Sequence, residues 1–201
     1  MTRLLSLANK QQYWNYINEA VRSLKRGEVI AFPTETVYGL GANADDKDAI
    51  LRLYEIKQRP RDKKLTVLIS KISETEKYVD HIHPNAQKLM NMFWPGPLTL
   101  VMKSKDHEDI GLRIPKYRAI YDLLSSSQIP IAAPSANISG ENPLTDAKSV
   151  FDAFKDKIDI VLDGGISPIG VASTVVKIND QGVEILRHGA ITDEQIHECL
   201  K

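Results

Sequence analysis

Tyr13, Ile17, Ala20, Val21 and Leu24 recur at helical spacing, and Gly27 follows where a helix C-terminus favours glycine. The run Val29-Ile30-Ala31-Phe32 contains no polar residue and reads as a buried strand, stopped by Pro33, which cannot donate to a ladder. A polar loop from Thr34 leads into a second extended piece. Ala49, Ile50, Leu53 and Ile56 then line one face of a helix that delivers Lys57, and Pro60 disfavours helix at Arg59, so the chain is expected to leave the helix there. Leu65 to Ile69 reads as a strand. Ala86, Leu89, Met90 and Phe93 mark a helix stopped by Trp94-Pro95-Gly96-Pro97, and Leu98 to Met102 pairs with Ile110 to Ile114 across a polar loop. Ala119, Ile120, Leu123 and Leu124 give a further amphipathic helix before the short buried strand Ile129 to Ala133. Thr145 is the expected N-cap of a helix through Val150, Phe151 and Phe154. Ile158 to Leu162 is a strand, Ser173 to Ile178 and Val183 to Arg187 form a pair around Asp180-Gln181-Gly182, and Thr192 to Gln195 is a capping box opening a terminal helix. About eight strands thus interleave with six helices. The fold class predicted is mixed α/β, a twisted mixed sheet with helices on both sides, in a single domain over 1–201.

Composition narrows the chemistry. Lys+Arg and Asp+Glu both total 26, so a polyanion site must come from local clustering. The stretch Lys57 to Lys64 supplies such a cluster, with Lys57, Arg59, Arg61, Lys63 and Lys64 at a helix-to-strand junction. The apolar run at the N-terminus is too short for a signal peptide, and no segment approaches the ~20 apolar residues of a membrane span. Cys199 stands alone, which excludes an internal disulfide and fits a reducing compartment. A soluble, cytoplasmic protein with no membrane partner is the expectation.

Most familiar site patterns fail. Gly39-Leu40-Gly41-Ala42-Asn43-Ala44 has the spacing of a dinucleotide fingerprint, but Pro33 breaks the strand early and the helical pattern begins only near Asp46. No P-loop and no nucleophile elbow is present. His81 and His83 lie two apart in a loop and Cys199 has no partner, so no metal site is expected. What remains is a set of hydroxyl, amide and cationic residues at strand ends: Thr34, Lys57, Arg59, Thr66, Arg113, Ser135, Asn137, Ser173 and Arg187. Arg113 falls in an otherwise apolar strand, where an unpaired charge is costly. Separated cations with hydroxyls suit a phosphorylated ligand, and no covalent nucleophile or acid/base dyad is evident. The pattern fits nucleotide chemistry by positioning and charge neutralisation.

Several longer stretches resemble one family. Phe32-Pro33-Thr34-Glu35-Thr36-Val37-Tyr38-Gly39-Leu40-Gly41, Lys57-x-Arg59-Pro60, Trp94-Pro95-Gly96-Pro97-Leu98-Thr99, Arg113-Ile114-Pro115, Pro134-Ser135-Ala136-Asn137-x-Ser139-Gly140, Ser173-Thr174-Val175-Val176 and Arg187-x-Gly189-Ala190-Ile191 are similar to the YrdC family, the threonylcarbamoyl-AMP synthases, in their short form. The match runs in order from about residue 10 to 191. It implies a mixed sheet around a large, positively lined concave cavity. The reaction implied joins L-threonine, bicarbonate and ATP into threonylcarbamoyl-AMP and pyrophosphate. A threonylcarbamoyl transferase complex then modifies the adenosine beside the anticodon of tRNA.

By position in these motifs, Thr34, Thr66, Tyr117 and Ser135 would hold threonine. Lys57, Arg59, Arg61, Arg113, Asn137, Thr145, Ser173 and Arg187 would hold ATP, with Lys57 and Arg59 central to catalysis. Magnesium would arrive with ATP, bound through phosphates and water. Lys64 stands where many members have Pro, and Tyr117 where many have His. The further C-terminal domain of longer members is not seen, so closure of the site is expected from elsewhere. Two other classes remain open: a non-catalytic module binding double-stranded RNA or tRNA, and a carbamoyl-transfer paralogue. Intact Lys57, Arg59, Ser135 and Asn137 favour the synthase.

Overall fold

The computed structural model describes residues 1–201. Its strands are β1 (Arg3–Ser6), β2 (Ile30–Phe32), β3 (Gly39–Asn43), β4 (Thr66–Leu68), β5 (Leu98–Lys103), β6 (Asp109–Arg113), β7 (Ile131–Ala132), β8 (Ile160–Asp163), β9 (Thr174–Asn179) and β10 (Gly182–Arg187). The helices are α1 (Tyr13–Lys25), α2 (Lys47–Lys57), α3 (Pro84–Phe93), α4 (Arg118–Ser127), α5 (Ala147–Phe154) and α6 (Asp193–Leu200). All ten strands join one mixed sheet in the order β1-β8-β2-β3-β7-β4-β6-β5-β9-β10. The mixed α/β class and the six helices follow the sequence pattern. Two strands exceed the eight expected. β1 is a four-residue edge strand with only Leu5 buried, so it carries almost no alternation signal. β3 is the extended piece after the Thr34 loop, hidden by its glycines.

Alternation along the strands decides where the helices go. In β2, Ile30 and Phe32 join a core with Leu124 of α4 and Leu24 of α1, while Ala31 faces a second core containing Leu53 of α2 and Phe154 of α5. β8 divides likewise, with Ile160 and Leu162 on the α1/α4 side and Val161 on the α2/α5 side. On that second face the layer continues across β4, β6, β5 and β9, where Val67, Leu112, Leu100 and Val176 pack under α3 and α6. One face is therefore covered from end to end. The other is covered by α1 and α4 from β1 across β8 and β2 to Ile131 of β7 and Leu68 of β4. Beyond them, Thr66, Thr99 and Arg113 point from the same strands into a region that no helix fills, and a cleft opens there.

Helix ends are set by local donors and acceptors. Asp46 caps α2, its carboxylate accepting from the backbone of Asp48 and Ala49. α2 ends one residue before the expected point, at the left-handed cap Gln58 with φ 50°. The N-cap of α5 is Asp146 and not Thr145: its carboxylate takes the Ser149 N–H at 2.8 Å and the Ser149 hydroxyl at 2.7 Å, and its charge also favours a helix N-terminus. His83 caps α3 through Nδ1, which accepts from Asn85 N–H at 3.1 Å. α6 opens with the expected Thr192–Gln195 capping box. No helix is long and apolar enough to cross a membrane.

Candidate active site

The cleft occupies about 620 Å³, counting space open to solvent. Its cations are Arg59, Lys64, Arg113 and Arg187, and no carboxylate lines it. Each arginine is delivered and then fixed by acceptors at its own base. Arg113 arrives on β6; its Nε donates to Gly96 O at 3.2 Å, and its Nη2 donates to Glu35 Oε1 at 2.7 Å and Thr36 Oγ1 at 3.0 Å. The Gly96 carbonyl is presented by the turn Trp94–Pro97, which leaves α3 for β5. Arg187 ends β10, with Nε and Nη2 donating to Ser173 O at 3.1 and 2.8 Å and Nη2 also to Ser173 Oγ at 3.0 Å. Gly189 lets this segment press on its neighbour, since a Cβ there would stand 2.4 Å from Ala172 O. Arg59 leaves the end of α2 and donates from Nε to Lys63 O at 3.0 Å and from Nη2 to Lys64 O at 2.9 Å.

The three guanidinium groups share a pattern. Nε and Nη2 are spent on the protein, and Nη1 is left without a protein partner. Burial, then Arg113 and Arg59, push the proton affinity of Arg187 below its ordinary value. Burial does the same to Arg59. Rigid, mutually repelling cations around an open space form a ready anion site, because the donors need no reorganisation when an anion arrives.

The hydroxyls divide into spent and open. Thr34 lines the cleft, but its Oγ1 donates to Val37 O at 2.6 Å and accepts from the Thr36 and Val37 amides, closing its own turn. Ser135 lines the cleft beside Gly39, to which it bridges in antiparallel fashion, and donates to Asn137 Oδ1 at 2.6 Å. That leaves the Ser135 lone pairs as acceptors. Thr66, at the start of β4, lines the cleft with no side-chain partner. Thr99 Oγ1 lies 2.9 Å from Ser173 Oγ, so a hydroxyl pair stands behind Arg187.

Of the twelve residues singled out in the sequence, seven line this cleft: Thr34, Arg59, Thr66, Arg113, Ser135, Ser173 and Arg187. Lys57 and Asn137 stand directly behind the wall. Lys57 is 1% exposed, and its Nζ donates to Ser135 O at 2.5 Å and Asn137 O at 2.6 Å. Burial, with a smaller push from Arg59, brings its pKa down to about 8. Asn137 Nδ2 donates to Ile138 O at 2.8 Å and Glu141 O at 2.9 Å. Together they frame the loop that carries Ser135. Three others lie away from the cleft. Arg61 is exposed beyond Pro60, and Thr145 meets the 164–173 loop through its carbonyl, which accepts from Ser167. Tyr117 lines a separate hollow and donates its hydroxyl to Gly164 O at 2.8 Å. Conversely, Glu35, Thr36, Thr99 and Lys64 belong to the site or its support and were not among the twelve. The first three lie inside the quoted stretches 32–41 and 94–99, which was the available signal. No group of three or more His, Cys, Asp or Glu side chains could hold a metal ion.

Comparison with known proteins gives a consistent picture. The Sua5/yciO/yrdC family model, described as telomere recombination, matches residues 22–189. The chain is 37% identical to a threonylcarbamoyl-AMP synthase of Pyrococcus abyssi over 100% of its own length and 61% of the relative's. It is 43% identical to the threonylcarbamoyl-AMP synthase of Bacillus subtilis over 92% of its length and 56% of the relative's. The chain therefore spans about three fifths of the length of these relatives. A crystal structure of P. abyssi Sua5 complexed with L-threonine superposes with a TM-score of 0.91 at 36% identity, covering 100% of this chain and 61% of that one. With most of its length matched by the family model and its whole sheet by a solved member, the chain belongs to the Sua5/YciO/YrdC family.

Proposed function

We propose that this domain is an L-threonylcarbamoyladenylate synthase. The observation that carries the reading is the cleft itself, with three arginines each pinned at Nε and Nη2 and no carboxylate among the lining residues. A site of that kind suits several negative charges at once, and this reaction gathers a triphosphate, a carbamate and a carboxylate. The threonine amine, in its neutral form, attacks the carbon of bicarbonate, and loss of water leaves threonine N-carboxylate. One carbamate oxygen then attacks the α-phosphorus of ATP. The bond from that phosphorus to the bridging oxygen breaks, and pyrophosphate leaves with the electron pair.

In this reading Arg113 and Arg187 spread the charge of the triphosphate. Arg59 lines the same cleft from the junction of α2 and the Pro60 turn. Thr66 offers a free hydroxyl and Ser135 free lone pairs, a donor and an acceptor suited to the threonine hydroxyl or amine. Lys57 acts through Ser135 and Asn137, whose carbonyls it holds. Magnesium would come with the nucleotide, bound to phosphate oxygens and water, and would help to neutralise the triphosphate beside Arg113 and Arg187. The adenylate leaves as an activated carbamoyl donor for a transferase that modifies tRNA.

Incubation with ATP, bicarbonate labelled in carbon and L-threonine, followed by mass spectrometry, tests this. The expected product is an adenylate carrying both the threonine mass and the bicarbonate label, with pyrophosphate equimolar to it. Pyrophosphate without a threonine-containing adenylate, or ADP in place of AMP products, contradicts the proposal.

A further inference from the structure

Glu35 is 5% exposed and lies behind Arg113, outside the cleft lining. Its Oε1 accepts from Arg113 Nη2 at 2.7 Å, while its Oε2 is buried with no partner. A guanidinium and a carboxylate free to choose settle fork to fork, with two parallel bonds. Here the contact is one-pronged. Gly96 O takes Nε, Thr36 Oγ1 shares Nη2 with Glu35, and Nη1 makes no bond to Glu35. The offset leaves one carboxylate oxygen unsatisfied and one guanidinium amino group free. A pair selected only for stability would not leave both, since a buried acceptor without a donor costs free energy. The backbone carbonyl of Glu35 also accepts from Ile169, which ties this residue to the loop leading to Ala172 and Ser173 in the cleft wall.

We propose that Glu35 is the counter-ion that sets how tightly the cleft holds anions. It touches one of three guanidinium groups crowded around the same space and has access to none of the ligand volume. It offsets part of the Arg113 charge when the cleft is empty. By lowering the net charge that Arg113 presents, it lets a multiply charged product be released and not trapped. The inference rests on the anion-binding reading of the cleft given above, and it assigns Glu35 as a positioning residue that acts only through Arg113.

The test uses inorganic pyrophosphate as probe and Glu35→Gln as variant, because glutamine keeps the shape and the Oε1 acceptor while removing the charge. Calorimetric titration should show pyrophosphate bound about fivefold to tenfold more tightly by Glu35→Gln than by the wild type. In an Arg113→Gln background the same substitution should change affinity less than twofold, since the charge it compensates is gone. Unchanged or weaker binding in Glu35→Gln overturns the inference, as does equal tightening in both backgrounds. If Glu35→Gln alone fails to fold and the double variant folds, the uncompensated Arg113 charge is responsible and the inference stands. If both fail to fold, Glu35 is needed for packing and the inference falls. Absence of pyrophosphate binding by the wild type overturns the anion-site reading itself, and this inference with it.

Discussion

At the scale of single residues, Lys57 and Arg59 show how two cations two positions apart take different work. Lys57 Nζ satisfies two carbonyls inside the fold, whereas Arg59 holds two carbonyls of the exposed Lys63–Lys64 turn and faces the cleft. Removing a donor from buried acceptors costs roughly 1–3 kcal/mol, but water can replace a donor at exposed ones. Lys57→Ala should therefore lower unfolding free energy by about 2–3 kcal/mol. Arg59→Ala should stay within about 1 kcal/mol in stability yet lose roughly two orders of magnitude in adenylate formation. Denaturant midpoints and steady-state rates on the same preparations separate the two. Lys57 also carries a pH signature. Its proton is held less tightly in the fold, at a pKa of about 8 against 10.5 for the ordinary side chain, so the unfolded chain binds more protons between those values. Wild-type stability should rise with pH through that window relative to Lys57→Met. The sequence marks both residues as important but not which way each side chain turns, because that depends on where the 134–140 loop comes back.

At the scale of elements, periodicity located the buried strands and all six helices, and it failed where glycine replaces side chains. β3 carries Gly39 and Gly41 because the Phe32 ring of β2 lies across them: a Cβ on Gly41 would stand 2.4 Å from Phe32 Cε1. The glycines that resemble a dinucleotide fingerprint thus serve sheet packing, with β3 antiparallel to β2 in place of a strand-to-helix turn. Phe32 also lines the cleft, so the clash is transmitted to the site. Gly41→Ala should destabilise the fold by about 1–3 kcal/mol, the usual cost of forcing a packed ring to move, and should weaken pyrophosphate binding as well. A Gly41→Ala protein with wild-type melting and binding would mean that Phe32 swings aside freely. The cap of α5 shows the same limit of local reading. Thr145 and Asp146 are both acceptable N-caps by type, and only the approach of Ser149 selects the carboxylate.

At the scale of the whole molecule, a chain with equal acidic and basic totals builds a cleft lined by four cations and no carboxylate. Composition cannot reveal this, since the cations come from the turn after α2, from β6 and from β10, which meet only once the sheet has formed. The contribution of each should follow its solvation. Lys64 reaches the rim, where it pairs with Glu108 at 3.2 Å with both side chains largely in water, and Lys63 is exposed. Arg59 and Arg113 are fixed by the protein and partly or wholly shielded. Exposed charges are screened within about 10 Å at 0.1 M salt and about 3 Å at 1 M, while shielded ones are screened far less. Lys63→Ala combined with Lys64→Ala should slow adenylate formation less than about tenfold at low salt, and the deficit should vanish by roughly 0.5 M. The Arg59→Ala deficit should persist across the same range. If the lysine pair proves as damaging as Arg59→Ala at high salt, the catalytic charge lies at the rim of the cleft, and Arg59 is a brace for the turn that presents it.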